Sequence, residues 1–225
     1  MQSLSVKNLS LQLPDGTCLC ESLSFSIERG SVLALMGQSG SGKSSILSWI
    51  TGTLNSAIRA SGEVWLGDRN ITSVAVEKRG LGLMLQQDYL FPHMSVAQNL
   101  KFGLRGGSAQ QREQKVAHSL EQAGLSGFYD RNPSTLSGGQ RARVSLLRTL
   151  MSNPHALLLD EPFSRLDATL RSTIREFTWL AASDLPVLLV THDVADVPAH
   201  AVTLNLSSSV AGCDQQAAPL ANPLS

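Results

Sequence analysis

One segment constrains the fold of this chain more than any other. Ser31 to Met36 (SVLALM) runs directly into Gly37 to Ser44 (GQSGSGKS), and that into Ser45 to Ile50 (SILSWI). A nearly continuous apolar run of this length marks a strand buried on both faces of a sheet, and the segment after the glycines has helical character. Between them lies G-x-x-x-x-G-K-[ST]. Its glycines let the backbone curl so that successive N–H groups point at phosphate oxygens, Lys43 adds a cation, and the Ser44 hydroxyl can bind Mg²⁺. So short a pattern occurs by chance, but the strand before it and the helix after it are the context that gives it meaning.

Similar apolar runs recur at Leu81 to Leu85, Ala156 to Leu159 and Val187 to Val190. Helical or loop sequence separates each from the next, which predicts an α/β chain with a mostly parallel sheet and crossover helices. The N-terminal region differs. Leu4, Val6, Leu9, Leu11 and Leu13, and then Leu23, Phe25 and Ile27, recur mostly at every second position. They predict antiparallel strands with a turn at Pro14 to Gly16. Ser95 with Gln98 and Ser108 with Gln111 read as capping boxes, so a helical segment is expected from about Phe91 to Asn132. Residues 1–206 are expected to form a single domain. The tail, 207–225, loses periodicity and is expected to be disordered.

Two further constellations carry chemistry. In Ala156 to Glu161 (ALLLDE) a buried strand ends in a carboxylate, which delivers Asp160 to the carboxyl edge of the sheet, where it can hold Mg²⁺ through water. Glu161 is then placed to polarise an attacking water. In Leu136 to Gln140 (LSGGQ) Ser137 is a good N-cap and the two glycines leave backbone N–H groups exposed, making a second anion-binding helix start. One nucleotide does not need two such platforms from one chain. Arg141, Arg143 and Arg148 follow on a helix whose other side carries Val144, Leu146, Leu147 and Leu150. The arginines therefore read as a solvated face, not a nucleic-acid surface.

Charge agrees with that. Lysine plus arginine number 18 and aspartate plus glutamate 18, a formal net charge of zero, so any anion site is local and no footprint for bulk nucleic-acid binding exists. Cys18, Cys20 and Cys213 are an odd, sparse set that fits a reducing compartment, and small buried or half-buried side chains suit the Cys18/Cys20 pair better than a metal site. The opening MQSLSVKNLS lacks the charged start and apolar run of an export signal, and no stretch approaches the ~20 apolar residues of a spanning helix. A cytosolic chain that reaches a membrane through a partner is expected.

The phosphate loop, LSGGQ, ALLLDEP and LLVTHD occur in an order and spacing that resemble the ATP-binding subunits of ABC transporters, bacterial importers in particular, from Leu4 to about Leu206. The resemblance implies a P-loop NTPase (RecA-like) fold: a mostly parallel core sheet, an N-terminal antiparallel β apron and an α-helical signature subdomain at about 91–145. It implies ATP and Mg²⁺ as ligands, two copies enclosing two ATP molecules, and hydrolysis that drives solute transport through separate membrane subunits. Gly37, Gln38, Ser39, Gly40, Ser41, Gly42, Lys43, Ser44 and Ser45 would contact the phosphates of one ATP, and Ser137, Gly138, Gly139 and Gln140 those of the ATP held by the other copy. Ser44, Gln86 and Asp160 match metal-site positions, and Glu161, His192 and Gln86 catalytic ones. Gln86 matches the family's lid glutamine better than Gln87, by its distance to Phe91 and Pro92. Asp167 matches the loop that communicates across the dimer. Where the family stacks adenine on an aromatic ring this chain has Leu11 or Leu13. The implied partners are a second copy or a similar ATPase, permease subunits and a periplasmic or extracellular solute-binding protein, without nucleic acid, and the implied location is the inner face of the cell membrane.

Rival classes fit less well. The interval from Ser44 to Leu136 has no heptads such as chromosome-type ATPases insert. A kinase or GTPase would leave LSGGQ unexplained, and an N-K-x-D guanine motif is missing. An ABC-type ATPase that remodels the cell envelope is the nearest alternative.

Overall fold

The computed structural model describes residues 3–206; the expectation of a disordered tail lies outside them. In chain order the elements are β1 (Ser3–Gln12), β2 (Cys18–Glu28), β3 (Val32–Gly37), α1 (Lys43–Thr51), β4 (Arg59–Leu66), β5 (Arg69–Asn70) and β6 (Leu81–Met84). They continue with α2 (Val96–Gly103), α3 (Ala109–Gln122), α4 (Gly138–Met151), β7 (Ala156–Asp160), α5 (Ala168–Ala181), β8 (Val187–Thr191) and β9 (Val202–Leu206). The described residues divide into two compact units, one of residues 3–79 with 184–206 and one of residues 80–183.

The first unit holds both kinds of sheet that the sequence predicts. An antiparallel sheet runs β2-β1-β4-β5. In it the alternation of β1 places Leu4, Val6, Leu9 and Leu11 fully inside, each such side chain contributing about 1.5–3 kcal/mol of burial. The parallel part places β3 between β8 and β9, with Met36 opposite Thr191 and Gly37 opposite Leu206. Val32 to Met36 and Val187 to Thr191 are buried without interruption, as strands covered on both faces must be.

The second unit pairs β6 with β7 in parallel, Met84 opposite Leu159. Its helices enclose a core of Val96, Leu100, Val116, Leu120, Leu136, Val144 and Leu147. Both expected capping boxes form: Ser95 N–H donates to Gln98 Oε1 at 2.8 Å and Ser108 N–H to Gln111 Oε1 at 2.9 Å, with each serine Oγ accepting from the glutamine N–H. Two expectations need correction. The run Leu81 to Leu85 ends as a strand at Met84, and Leu85 is exposed. β6 alternates half-buried and buried residues because it stands at the edge of its sheet. The arginines of α4 are not a solvated face. Arg141, Arg143 and Arg148 are each half-buried, and each donates to a backbone carbonyl, of Leu136, Ala123 and Tyr89 respectively. A guanidinium carries enough donors to satisfy loop carbonyls that face the helix, which keeps it on the protein rather than in water.

Candidate functional site

In the first unit the phosphate-loop sequence spans the turn from β3 into α1. The N-cap of α1 is Gly42, at φ +87°, and it gives the helix no side-chain hydrogen bond. A Cβ on Gly42 would lie 3.1 Å from Leu19 Cβ, and both the left-handed φ and this approach favour glycine. Lys43 is buried, and its Nζ donates to the carbonyls of Gly37 and Gln38 at 2.7 Å each. The ammonium thus lies in the concavity of its own loop. Ser44 is exposed and Ser45 half-buried. A cation in the loop, a helix start whose N-cap has no side chain and an exposed hydroxyl are the kind of set that a nucleotide polyphosphate with Mg²⁺ requires.

His192 follows β8 at the same edge from which the loop leaves β3, because Met36 and Thr191 are register partners. It is exposed. Its turn is held from beneath: Thr191 Oγ1 donates to Asp196 Oδ2 at 3.1 Å, both residues being buried, and Thr191 Oγ1 accepts from Asp193 N–H at 3.1 Å. This support has no signature in the sequence, since a Thr and an Asp five residues apart have no recognisable spacing.

The second unit gathers its set by the same logic. Gln86 follows β6, and Asp160 and Glu161 close β7, at one edge of two paired parallel strands. Gln86 Nε2 donates to Ser164 Oγ at 3.1 Å, and Ser164 Oγ donates to the Glu161 carbonyl at 2.9 Å. Glu161 has φ +46°, a left-handed conformation that a residue with a Cβ adopts at a cost of about 1 kcal/mol or more. Asp160 and Glu161 are half-buried. Asp167 is the N-cap of α5, its Oδ1 accepting from Leu170 N–H at 3.0 Å.

The LSGGQ segment opens α4 with a third capping box. Ser137 Oγ accepts from Gln140 N–H, and Ser137 N–H donates to Gln140 Oε1 at 2.9 Å. Gly138 is exposed, but Gly139 is buried, contrary to expectation. Its hydrogen faces Leu170, and a Cβ would come within 2.5 Å of Leu170 Cδ1. Gly139 is therefore needed for the packing of α4 against Leu170.

Leu11 is also corrected: it is fully buried in the antiparallel sheet and can stack on nothing, while Leu13 is half-buried. Leu19 of β2, itself half-buried, comes close to Gly42 of the phosphate loop. Its neighbours also differ from expectation in part: Cys20 is buried, but Cys18 is exposed.

A cavity of about 490 Å³ lies elsewhere in the second unit, lined by Leu83, Tyr89, Phe91, Phe102, Arg105 and Arg148 among others. Phe102 is 65% and Tyr89 59% exposed, and it is their meeting in one cleft, not the exposure of either alone, that is informative. Phe91 meets Phe102 edge to face at 4.8 Å between ring centroids.

Two parallel-sheet edges carrying a phosphate loop, a strand-end carboxylate pair, a glutamine and a histidine, with a glycine-rich second helix start, define an ATPase of the P-loop class. Residues 20–164 match the ABC transporter family, and the chain belongs to it. It is an ABC transporter ATP-binding protein. It is 44% identical over 209 residues to the uncharacterized ABC transporter ATP-binding protein YnjD of Escherichia coli (strain K12), covering 91% of this chain and 95% of that protein. It is 39% identical over 198 residues to the Fe(3+) ions import ATP-binding protein FbpC 2 of Haemophilus influenzae, covering 84% of this chain and 54% of that one. To the maltose/maltodextrin import ATP-binding protein MalK of Vibrio cholerae it is 38% identical over 197 residues, covering 86% of this chain and 52% of that one. The chain thus spans nearly all of the first relative and about half the length of the import proteins. None of its described helices is long and apolar enough to cross a membrane.

Proposed function

We propose that this chain is the ATP-hydrolysing subunit of a membrane transporter, acting as a pair of copies that enclose two ATP molecules and drive import through separate permease subunits. The single observation that carries the reading is the presence of two helix starts suited to phosphate in different units of one chain: the bare N-terminus of α1 with Lys43, and the Ser137–Gln140 start of α4. One ATP is held by Gly37 to Ser45 of one copy, with Lys43 on its phosphates, and by Ser137 and Gly138 of the other copy, Gly139 and Gln140 shaping that second platform. Ser44, Asp160 and Gln86 hold Mg²⁺, which when bound draws negative charge from the phosphate oxygens. Glu161 accepts the proton of the attacking water, and His192 holds the terminal phosphate. Closure on ATP and reopening after hydrolysis move the permease.

The protein sits on the cytoplasmic face of the cell membrane, held by the permease, with a solute-binding protein on the far side. Import is favoured because the similar proteins FbpC 2 and MalK are import proteins by name. The cleft around Phe102 and Tyr89 is the docking surface for the permease.

Mixing two inactive variants tests the shared site. Lys43→Ala loses a charged phosphate contact of about 1.5–3 kcal/mol, and Ser137→Arg blocks the second platform with a bulky cation. A heterodimer of the two places both defects on one site and leaves the other intact. Equal mixing should restore about a quarter of the wild-type ATPase rate, since half the dimers keep one good site of two. A mixture no more active than its components would remove the shared-site reading.

A further inference from the structure

We infer that the loop from Gln86 to Phe91 is a strut that holds the start of the LSGGQ helix at a set distance from the Glu161 turn, with Ser164 and the Asp88–Arg141 pair as its two positioning contacts.

At one end the Ser164 hydroxyl accepts from Gln86 Nε2 at 3.1 Å and donates to the Glu161 carbonyl at 2.9 Å. It therefore works in both capacities at once. The residue it steadies, Glu161, is in the left-handed region at φ +46°, where a side-chain-bearing residue stays only when its surroundings hold it. At the other end one guanidinium spans two segments. Arg141 Nε donates to Asp88 Oδ2 at 2.9 Å, and its Nη1 donates to the carbonyl of Leu136, the residue before Ser137, at 2.7 Å. A lysine has no such fork. The backbone at Asp88 is fixed as well, its carbonyl accepting from Ser145 Oγ at 3.1 Å and Arg148 Nη2 at 3.0 Å. Only Gln87 separates the two ends. A small cavity of about 90 Å³ marks where the three segments converge, its walls including Gln86, Asp88, Gly138, Arg141, Pro162 and Leu166.

The consequence rests on the shared-site reading. There Glu161 serves the ATP held by its own Lys43, whereas Ser137 serves the ATP of the second copy. A strut within one chain then ties the hydrolytic carboxylate of one site to the closing platform of the other. It gives the two sites a mechanical reason to act together, and it runs through the loop that borders the Tyr89 cleft. Neither Ser164 nor Asp88 need touch nucleotide for this.

Contacts in series can be told from independent ones. The parent is Glu161→Gln protein, which should hold ATP without turning it over, and its ATP-driven dimerisation is followed by sedimentation. Ser164→Ala and Asp88→Asn should each weaken dimerisation about 3- to 10-fold. The double variant should be no weaker than the worse single, because a strut cut at one end gains nothing from a second cut. Ser164→Thr and Asp88→Glu, which keep the hydroxyl and the charge, should restore dimerisation to within about twofold of the parent, with thermal midpoints unchanged throughout. Fold-changes that multiply in the double variant, or single variants that dimerise like the parent, would overturn the strut while leaving the shared site intact. A parent that stays monomeric at saturating ATP would instead overturn the shared-site reading, and the strut with it.

Discussion

Glu161 combines two features, a carboxylate directly after a buried parallel strand and a left-handed backbone at φ +46°. The first aims the side chain at the sheet edge, and the second sets its direction at a cost in strain that the Ser164 hydroxyl helps offset. If Glu161 accepts the proton from the attacking water, Glu161→Gln removes the basic oxygen and keeps shape and backbone. ATP binding, measured by titration, should be retained, and steady-state turnover should fall by a factor on the order of 10² or more. A near-normal rate would take Glu161 out of the chemistry. At this scale the sequence was legible where a residue type at fixed spacing implies its own job, as with Lys43 behind its glycines. It was illegible where the job comes from a partner distant in sequence. Ser164 looks like any turn serine until Gln86 is seen against it, and Gly139 looks like a bare N–H donor until Leu170 is seen against its hydrogen.

Elements were legible in proportion to how local their causes are. The capping boxes at Ser95 and Ser108 are written in four residues each, and both helices start where the sequence puts them. The exit of α1 is different. Arg79, almost fully buried, donates to the carbonyls of Ile50 and Trp49 at the C-terminus of α1, at 2.6 and 3.2 Å, and to those of Thr72 and Val74 at 2.6 and 2.8 Å. Burial pushes its pKa down from the ordinary arginine range, yet a guanidinium stays charged at any working pH, and it sits at the negative end of the helix dipole. Gly52 caps the helix at φ +83°, and a Cβ there would come within 2.7 Å of the Arg79 Cζ. Nothing in the sequence around Arg79 announces that it closes a helix nearly thirty residues earlier. Arg79→Met should strand those carbonyls and cost about 2–4 kcal/mol, lowering the thermal midpoint by roughly 5–15 °C in a calorimetric scan. Arg79→Lys should recover only part of the loss, because one ammonium cannot reach both carbonyl pairs.

For the whole molecule the question is what the chain pushes against, and the exposed aromatic side chains give the most direct answer. A lone exposed Phe is ordinary, but Phe102 at 65% and Tyr89 at 59% exposure line one cleft of about 490 Å³ together with Arg105 and Arg148, and an apolar patch rimmed by cations is how a partner surface looks before the partner arrives. Tyr89 and Arg148 also connect the cleft to the loop that carries Gln86, since Arg148 donates to the carbonyls of Tyr89 and Asp88 at 2.8 and 3.0 Å. A permease segment seated there would press on the same loop that meets the Glu161 turn. Phe102→Glu replaces the apolar anchor by a charge without touching either helix start. Burial of a Phe side chain against a partner contributes about 1.5–3 kcal/mol, so under the proposed docking the variant should bind the permease at least about tenfold more weakly. Affinity purification from detergent-solubilised membranes, with mass spectrometry of the co-purifying subunits, checks it. ATP affinity of the purified chain should stay within about twofold of wild type, because Phe102 is exposed and belongs to neither phosphate platform. Undiminished co-purification of the permease with Phe102→Glu would place the docking surface elsewhere on the chain, and would break the link between partner binding and the Gln86 loop.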